Sequence, residues 1–157
     1  MCANEKSSFT IEAEKLTNEG LIVFPARETG RPKTPHVLWT NEATRDKETI
    51  RGWGSKWPNA LVAVPTGRQN GIIVLDVDLK HGVDGFESLR ALGINPDTFE
   101  GKKVITPTGG LHLYYGYREG IKNSVGKLGP GLDVRSDGGY VIAAGHIPGV
   151  GSYEAAK

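Results

Sequence analysis

A chain of 157 residues with one cysteine, Cys2, has room for one domain with a real core; it excludes two full domains, an internal disulfide framework and a cysteine-rich zinc site. Its 22 glycines and 9 prolines point to tight turns between short strands and away from a helical bundle. The net charge of +1 does not mark a nucleic-acid binder, and no stretch has the basic start and apolar run of a signal peptide or the length of a membrane span, so a soluble, cytoplasmic protein is expected.

In chain order, "SFTIEAEKLTNEG" spaces Phe9, Ala13 and Leu16 at helical intervals and closes on Gly20, which predicts a helix followed by the strand "LIVFPA". Residues 1–8 are expected to be flexible, and residues 27–43 read as a Pro-bearing, charged loop. "TRDKETIRGWGSKW" predicts a helix with Thr44 as its N-cap and Ile50, Trp53 and Trp57 on one stripe. "ALVAV" and "GIIVLDVD" read as strands, and the turn-rich "PTGRQN" between them predicts antiparallel neighbours. "DGFESLRALG" carries Asp84 and Glu87 in capping-box register and a stop at Gly93. The strands "KKVITP", "LHLYYGY", "LDVR" and "YVIAAG" follow. A single helix after the acidic strand and then a meander predict one α+β domain over 1–157 with a mostly antiparallel sheet.

Chemistry concentrates in three places. In "IIVLDVD" the strand alternation puts Asp76 and Asp78 on one face, roughly 7 Å apart, and Ile73, Leu75 and Val77 on the other. Two carboxylates so close oppose folding unless a cation or hydrogen bonds compensate, and hard oxygens suit Mg²⁺ or Mn²⁺. Alone, the pair reads first as a strand end that caps the next helix or lies exposed at a rim. In "TPTGGLHLYYGY", Gly109 and Gly110 can bring backbone N–H groups close to a phosphate and His112 can donate to one; the plain alternative is a Gly-Gly hairpin turn. In "LDVRSDGG", Asp133 is a third carboxylate and Arg135, on the same face, can clamp a triphosphate or form a salt bridge with Asp133 or Asp137. The acidic residues 76–100 lie between basic segments at 27–56 and 101–135, which suits a metal site receiving a polyanion as well as it suits scattered solvated faces.

The order "VLDVD", "TPTGGLH", "LDVRSDGGYVIAAG" resembles the N-terminal primase-polymerase (prim-pol) domain of bifunctional replication proteins of phages and plasmids, in the archaeo-eukaryotic primase superfamily. The resemblance extends upstream through "FPARETGRPKTPHVLWTNEATRD" and covers residues 21–153. It implies an RNA-recognition-motif-like antiparallel catalytic sheet with an N-terminal α/β module packed on it. It implies Asp76, Asp78 and Asp133 as metal ligands and His112 as a nucleotide-binding residue. The implied activity is nucleotidyl transfer on single-stranded DNA, from NTPs or dNTPs onto a primer, with Mg²⁺ or Mn²⁺, in the cytoplasm of a bacterial or archaeal host and with a helicase domain in a longer chain. Two positions depart from the pattern: Gly110 stands where serine is frequent, and His146 in "AAGHIPG" stands where serine is expected. Tyr114, Tyr115, Trp39 and Trp53 are candidates for stacking on bases, or simply core. The rival readings are a nucleotide- or single-strand-binding module without turnover and an aspartate-nucleophile phosphatase of the haloacid dehalogenase type. The latter needs a parallel sheet.

Overall fold

A computed structural model describes residues 5–80 and 82–156; Cys2 and half of the stretch expected to be flexible lie outside the described residues. Helix α1, Ser8–Asn18, starts inside that stretch, where the Ser7 hydroxyl accepts the Thr10 N–H. Phe9, Ala13 and Leu16 form its buried stripe, and Gly20, at φ +95°, turns the chain out of it. After strand β1, Phe24–Ala26, the expected loop contains a short helix, α2, Trp39–Glu42. Helix α3, Lys47–Lys56, is capped by Asp46 rather than Thr44: the Asp46 carboxylate accepts from both the N–H and the hydroxyl of Thr49. Thr44 is committed elsewhere, its backbone bridging Val23.

Strands β2, Leu61–Pro65, and β3, Ile72–Val77, come next, then a small hairpin of β4, Leu79–Lys80, and β5, Val83–Asp84. Helix α4, Gly85–Ala91, is capped by Asp84, whose carboxylate accepts the Phe86 N–H. The remaining strands are β6, Lys103–Ile105; β7, Leu111–Gly116; β8, Ser124–Val125; β9, Leu132–Arg135; β10, Tyr140–Ile147; and β11, Gly151–Ala155. Among the described residues they build a nine-stranded sheet in the order β1-β2-β10-β11-β6-β7-β3-β9-β8. Its registered pairs are antiparallel, as expected and as a haloacid dehalogenase sheet does not allow, but the expected meander is overturned: β3 lies between β7 and β9, and β10 pairs with β2 and not with β9.

The expectation that β2 and β3 pair is overturned. The link between them closes with the Gly67 N–H on the Ile72 carbonyl at 2.6 Å and a single bridge, and then the strands part. Each needs two neighbours because each is interior to a different half of the sheet: β2, buried along its whole length, lies between β1 and β10, and β3 between β7 and β9. Two cores follow. Helices α1 and α3 bury Phe9, Leu16, Ile50 and Trp53 against β1, β2 and β10. Under α4, Leu89 meets Ile73, Leu75 and Val77 of β3 together with Leu111, Leu113, Leu132 and Val134. The alternation that sends those residues to α4 sends Val74 and Asp76 to the other face.

Candidate active site

Asp76 is the centre of a cross-strand row. In register it stands opposite His112 on β7 and opposite Asp133 on β9, so all three side chains leave the sheet on one face. The His112 Nε2 lies 3.3 Å from the Asp76 Oδ1. The Asp133 Oδ1 accepts the Gly126 N–H at 3.1 Å, and its Oδ2 lies 3.4 Å from Nη2 of Arg135. Asp78 follows the end of β3 and is fixed through its backbone: its N–H donates to the Gly131 carbonyl and its carbonyl accepts the Gly85 N–H, both at 2.8 Å. Gly85 and Gly131 make this junction, since a Cβ on Gly85 would lie 2.5 Å from the Gly131 carbonyl oxygen and one on Gly131 2.8 Å from the Gly85 Cα.

Asp76, Asp78, Asp133, His112 and Arg135 line one cavity of about 720 Å³. Lys33, Thr106, Thr108, Asn123, Tyr140 and Tyr153 complete its polar wall, and Ile142, Ile147 and Val150 its apolar side. Gly109 and Gly110 are not in the lining. They shape the hairpin between β6 and β7: the Gly109 N–H is bonded to the Thr106 carbonyl, Gly109 has φ +86°, and a Cβ on Gly110 would stand 2.5 Å from the Val77 carbonyl oxygen. Serine is therefore excluded at Gly110 by packing, and Thr106 and Thr108 of the same hairpin face the cavity instead. His146 is outside this cavity; its Nδ1 lies 2.8 Å from the Ser152 Oγ, and it lines a second cavity beside α1.

The electrostatics of the row favour an ionised Asp76. Burial pushes its carboxyl upward, but the hydrogen bond and charge of His112, with Arg135 and Lys33 behind them, outweigh burial and hold it below the usual carboxylate range. Burial and the charges of Asp76 and Asp78 push the Tyr153 phenol well above its ordinary range. The aromatic candidates for base stacking are mostly occupied. Tyr114 and Trp53 are core, Trp39 stacks on Phe24 at 5.5 Å, and Tyr115 packs on Phe99. Lys33, Asn123 and Tyr153 escape sequence reasoning: two sit in irregular segments, and Tyr153 rides on β11, too short to carry a periodic signal.

Adjacent strands of an antiparallel α+β domain thus bring carboxylates and cations to one cavity. Comparison with protein families matches residues 13–157 to Prim-Pol, described as Bifunctional DNA primase/polymerase, N-terminal. The match spans nearly the whole chain, and the chain belongs to this family, a nucleotidyltransferase group whose members generally use divalent metals. No curated protein is similar enough in sequence to match. Among the described residues no helix is long and apolar enough to cross a membrane.

Among the described residues no group of three or more His, Cys, Asp or Glu side chains is gathered to hold a metal ion. Asp76 is drawn to His112 and Asp133 to Arg135, so the carboxylates share a wall rather than a point. The donor set itself fits a hard divalent cation: carboxylate oxygen from Asp76, Asp78 and Asp133, with Asp76 held ionised.

Proposed function

We propose that this domain is a DNA primase and DNA polymerase, adding NTPs or dNTPs to a primer on a single-stranded DNA template with two divalent ions, Mg²⁺ or Mn²⁺. The observation that carries the reading is the row His112–Asp76–Asp133, with Arg135 beside it, opening into a cavity that also receives Asp78. Asp76, Asp78 and Asp133 would hold the ions. Ions held by these carboxylates would supply positive charge to the phosphate tail and acidity to the attacking 3′-hydroxyl. Arg135 presents a fork of donors to phosphate oxygens, and His112, besides steadying Asp76, adds an imidazole to the wall along which the tail lies. The hairpin turned by Gly109 and Gly110 brings Thr106 and Thr108 to the same tail. The bond formed joins the primer 3′-oxygen to the α-phosphorus; the bond broken releases pyrophosphate. Rate comes from positioning and charge neutralisation rather than covalent catalysis. In this reading the half-sheet β7-β3-β9 backed by α4 is the RNA-recognition-motif-like core.

Extension of a labelled primer on single-stranded DNA with Mg²⁺ or Mn²⁺ tests the proposal. Wild type should incorporate nucleotide, and Asp76→Ala and Asp133→Ala should each lower incorporation at least about a hundredfold, the scale on which a group stabilising transition-state charge acts. Wild type that binds nucleotide and DNA without extending would instead be the binding module.

A further inference from the structure

The loop between β1 and α2 holds a backbone outlier. Among the described residues Lys33 is the non-glycine residue with positive φ, +75°. A residue with a side chain adopts that conformation only where its surroundings impose it. Here the Lys33 N–H is tied to the Arg27 carbonyl at 2.8 Å, and the Tyr140 hydroxyl, reaching across from β10, donates to the Lys33 carbonyl at 2.9 Å. Tyr140 is itself wedged edge-on against Phe24 and Trp39, 5.2 Å from each ring centroid. The Arg27 guanidinium closes the loop by donating to the Thr34 hydroxyl and the Pro35 carbonyl.

The result of this bracing is that Pro32 and Lys33 form part of the wall of the acidic cavity. Arg135 is already engaged with Asp133, and His112 with Asp76. Lys33 is exposed, lines the cavity and, among the described residues, has no carboxylate within 4.0 Å, so its charge is not committed to an ion pair within the protein. Its charge is nonetheless felt at Asp76. The Tyr140 hydrogen bond holds the Lys33 backbone at the edge of the cavity that Asp76, Asp78 and Asp133 line, and a compact, uncommitted ammonium there suits a phosphate oxygen.

We propose that Lys33 is a further substrate-binding residue, its ammonium holding the triphosphate tail of the incoming nucleotide from the 27–35 loop. The inference rests on the nucleotidyl-transfer reading above and adds a contact to it. The key variant is Lys33→Gly. Glycine takes positive φ without strain, so the loop and Tyr140 contact are kept while the charge is removed.

The experiment is a titration of wild type, Lys33→Gly and Lys33→Arg with a fluorescent nucleoside triphosphate in Mg²⁺, with the matching monophosphate and a labelled primer–template as controls. Lys33→Gly should melt at or above the wild-type temperature. It should bind the triphosphate about tenfold more weakly, the scale of one charge-assisted contact, and raise the nucleotide KM to match. Monophosphate and primer–template affinities should stay within about twofold of wild type, and Lys33→Arg should keep most of the triphosphate affinity. Wild-type triphosphate affinity in Lys33→Gly, or weakening confined to primer–template, overturns the assignment of Lys33 alone. Absence of triphosphate binding in wild type overturns both this and the nucleotidyl-transfer reading.

Discussion

Asp76 and Asp137 show two ways of keeping a carboxylate ionised. Asp76 is largely buried and relies on His112 and more distant cations; Asp137 is exposed and relies on hydrogen bonds from the Arg68 N–H and the Tyr117 hydroxyl, each 2.8 Å away. Those bonds hold Asp137 below the usual carboxylate range. The stabilisation linked to that shift is complete above the unfolded-state pKa, near 3.8, and is lost as pH falls through the lower folded value. Tyr117→Phe removes one of the two donors, so the Asp137 pKa should rise toward its ordinary value in a carboxyl-carbon NMR titration. An unchanged titration would mean that the Arg68 N–H alone sets the shift. At this scale much of the candidate site's arrangement was legible. Strand alternation alone sets Asp76 apart from Leu75 and Val77, and Asp133 and Arg135 from Leu132 and Val134. Lys33 was not, because nothing in a run of loop residues announces a left-handed backbone at a lysine.

Helix α3 contains two glycines with opposite reasons to be there. Gly52 faces solvent and a Cβ there would touch nothing within 4 Å, whereas a Cβ on Gly54 would fall 1.9 Å from the hydroxyl of buried Thr10 on α1. Gly52→Ala should stabilise the protein by about 0.5–1 kcal/mol through helix propensity. Gly54→Ala should destabilise it by about 1–3 kcal/mol, because α1 must move away. Urea denaturation of both variants checks the contrast; a stabilised Gly54→Ala would show that the α1–α3 contact is looser than its geometry. The helices α1, α3 and α4 were readable because each carries about two to three turns of apolar spacing and a capping residue. The cap of α3 was misplaced by two residues because both Thr44 and Asp46 can cap, and the sheet claims the Thr44 backbone. The pieces β4, β5, β8 and α2 were not readable, since two to four residues cannot display a period.

Over the whole molecule the halves of the sheet are joined by the last strands made. β10 pairs with β2, β11 pairs with β6, and the two pair with each other, so the chain from Tyr140 onward links the core under α1 and α3 to the core under α4. A chain ending at residue 139 would leave β2 and β6 each with one side unpaired. It should lose cooperative unfolding, read by tryptophan fluorescence against urea; a single sharp transition near the wild-type midpoint would mean that the halves are stable apart. Refolding of the intact chain should be slow for its size, milliseconds to seconds, because these pairings join residues far apart in sequence. This order was invisible in the sequence, where "PTGRQN" is a good hairpin connection and nothing marks "YVIAAG" as the strand that separates β2 from its successor.

The Gly85–Gly131 junction sets a limit on redesign. Its two backbones pass with no space for a methyl group, and Asp78 is bonded to both, so the reach between β3 and the start of β9 is fixed by main chain and no choice of side chain can lengthen it. An engineer seeking a larger cavity would have to find the room on the opposite wall, where Thr108 and Val150 project from turns, and leave the glycine side alone.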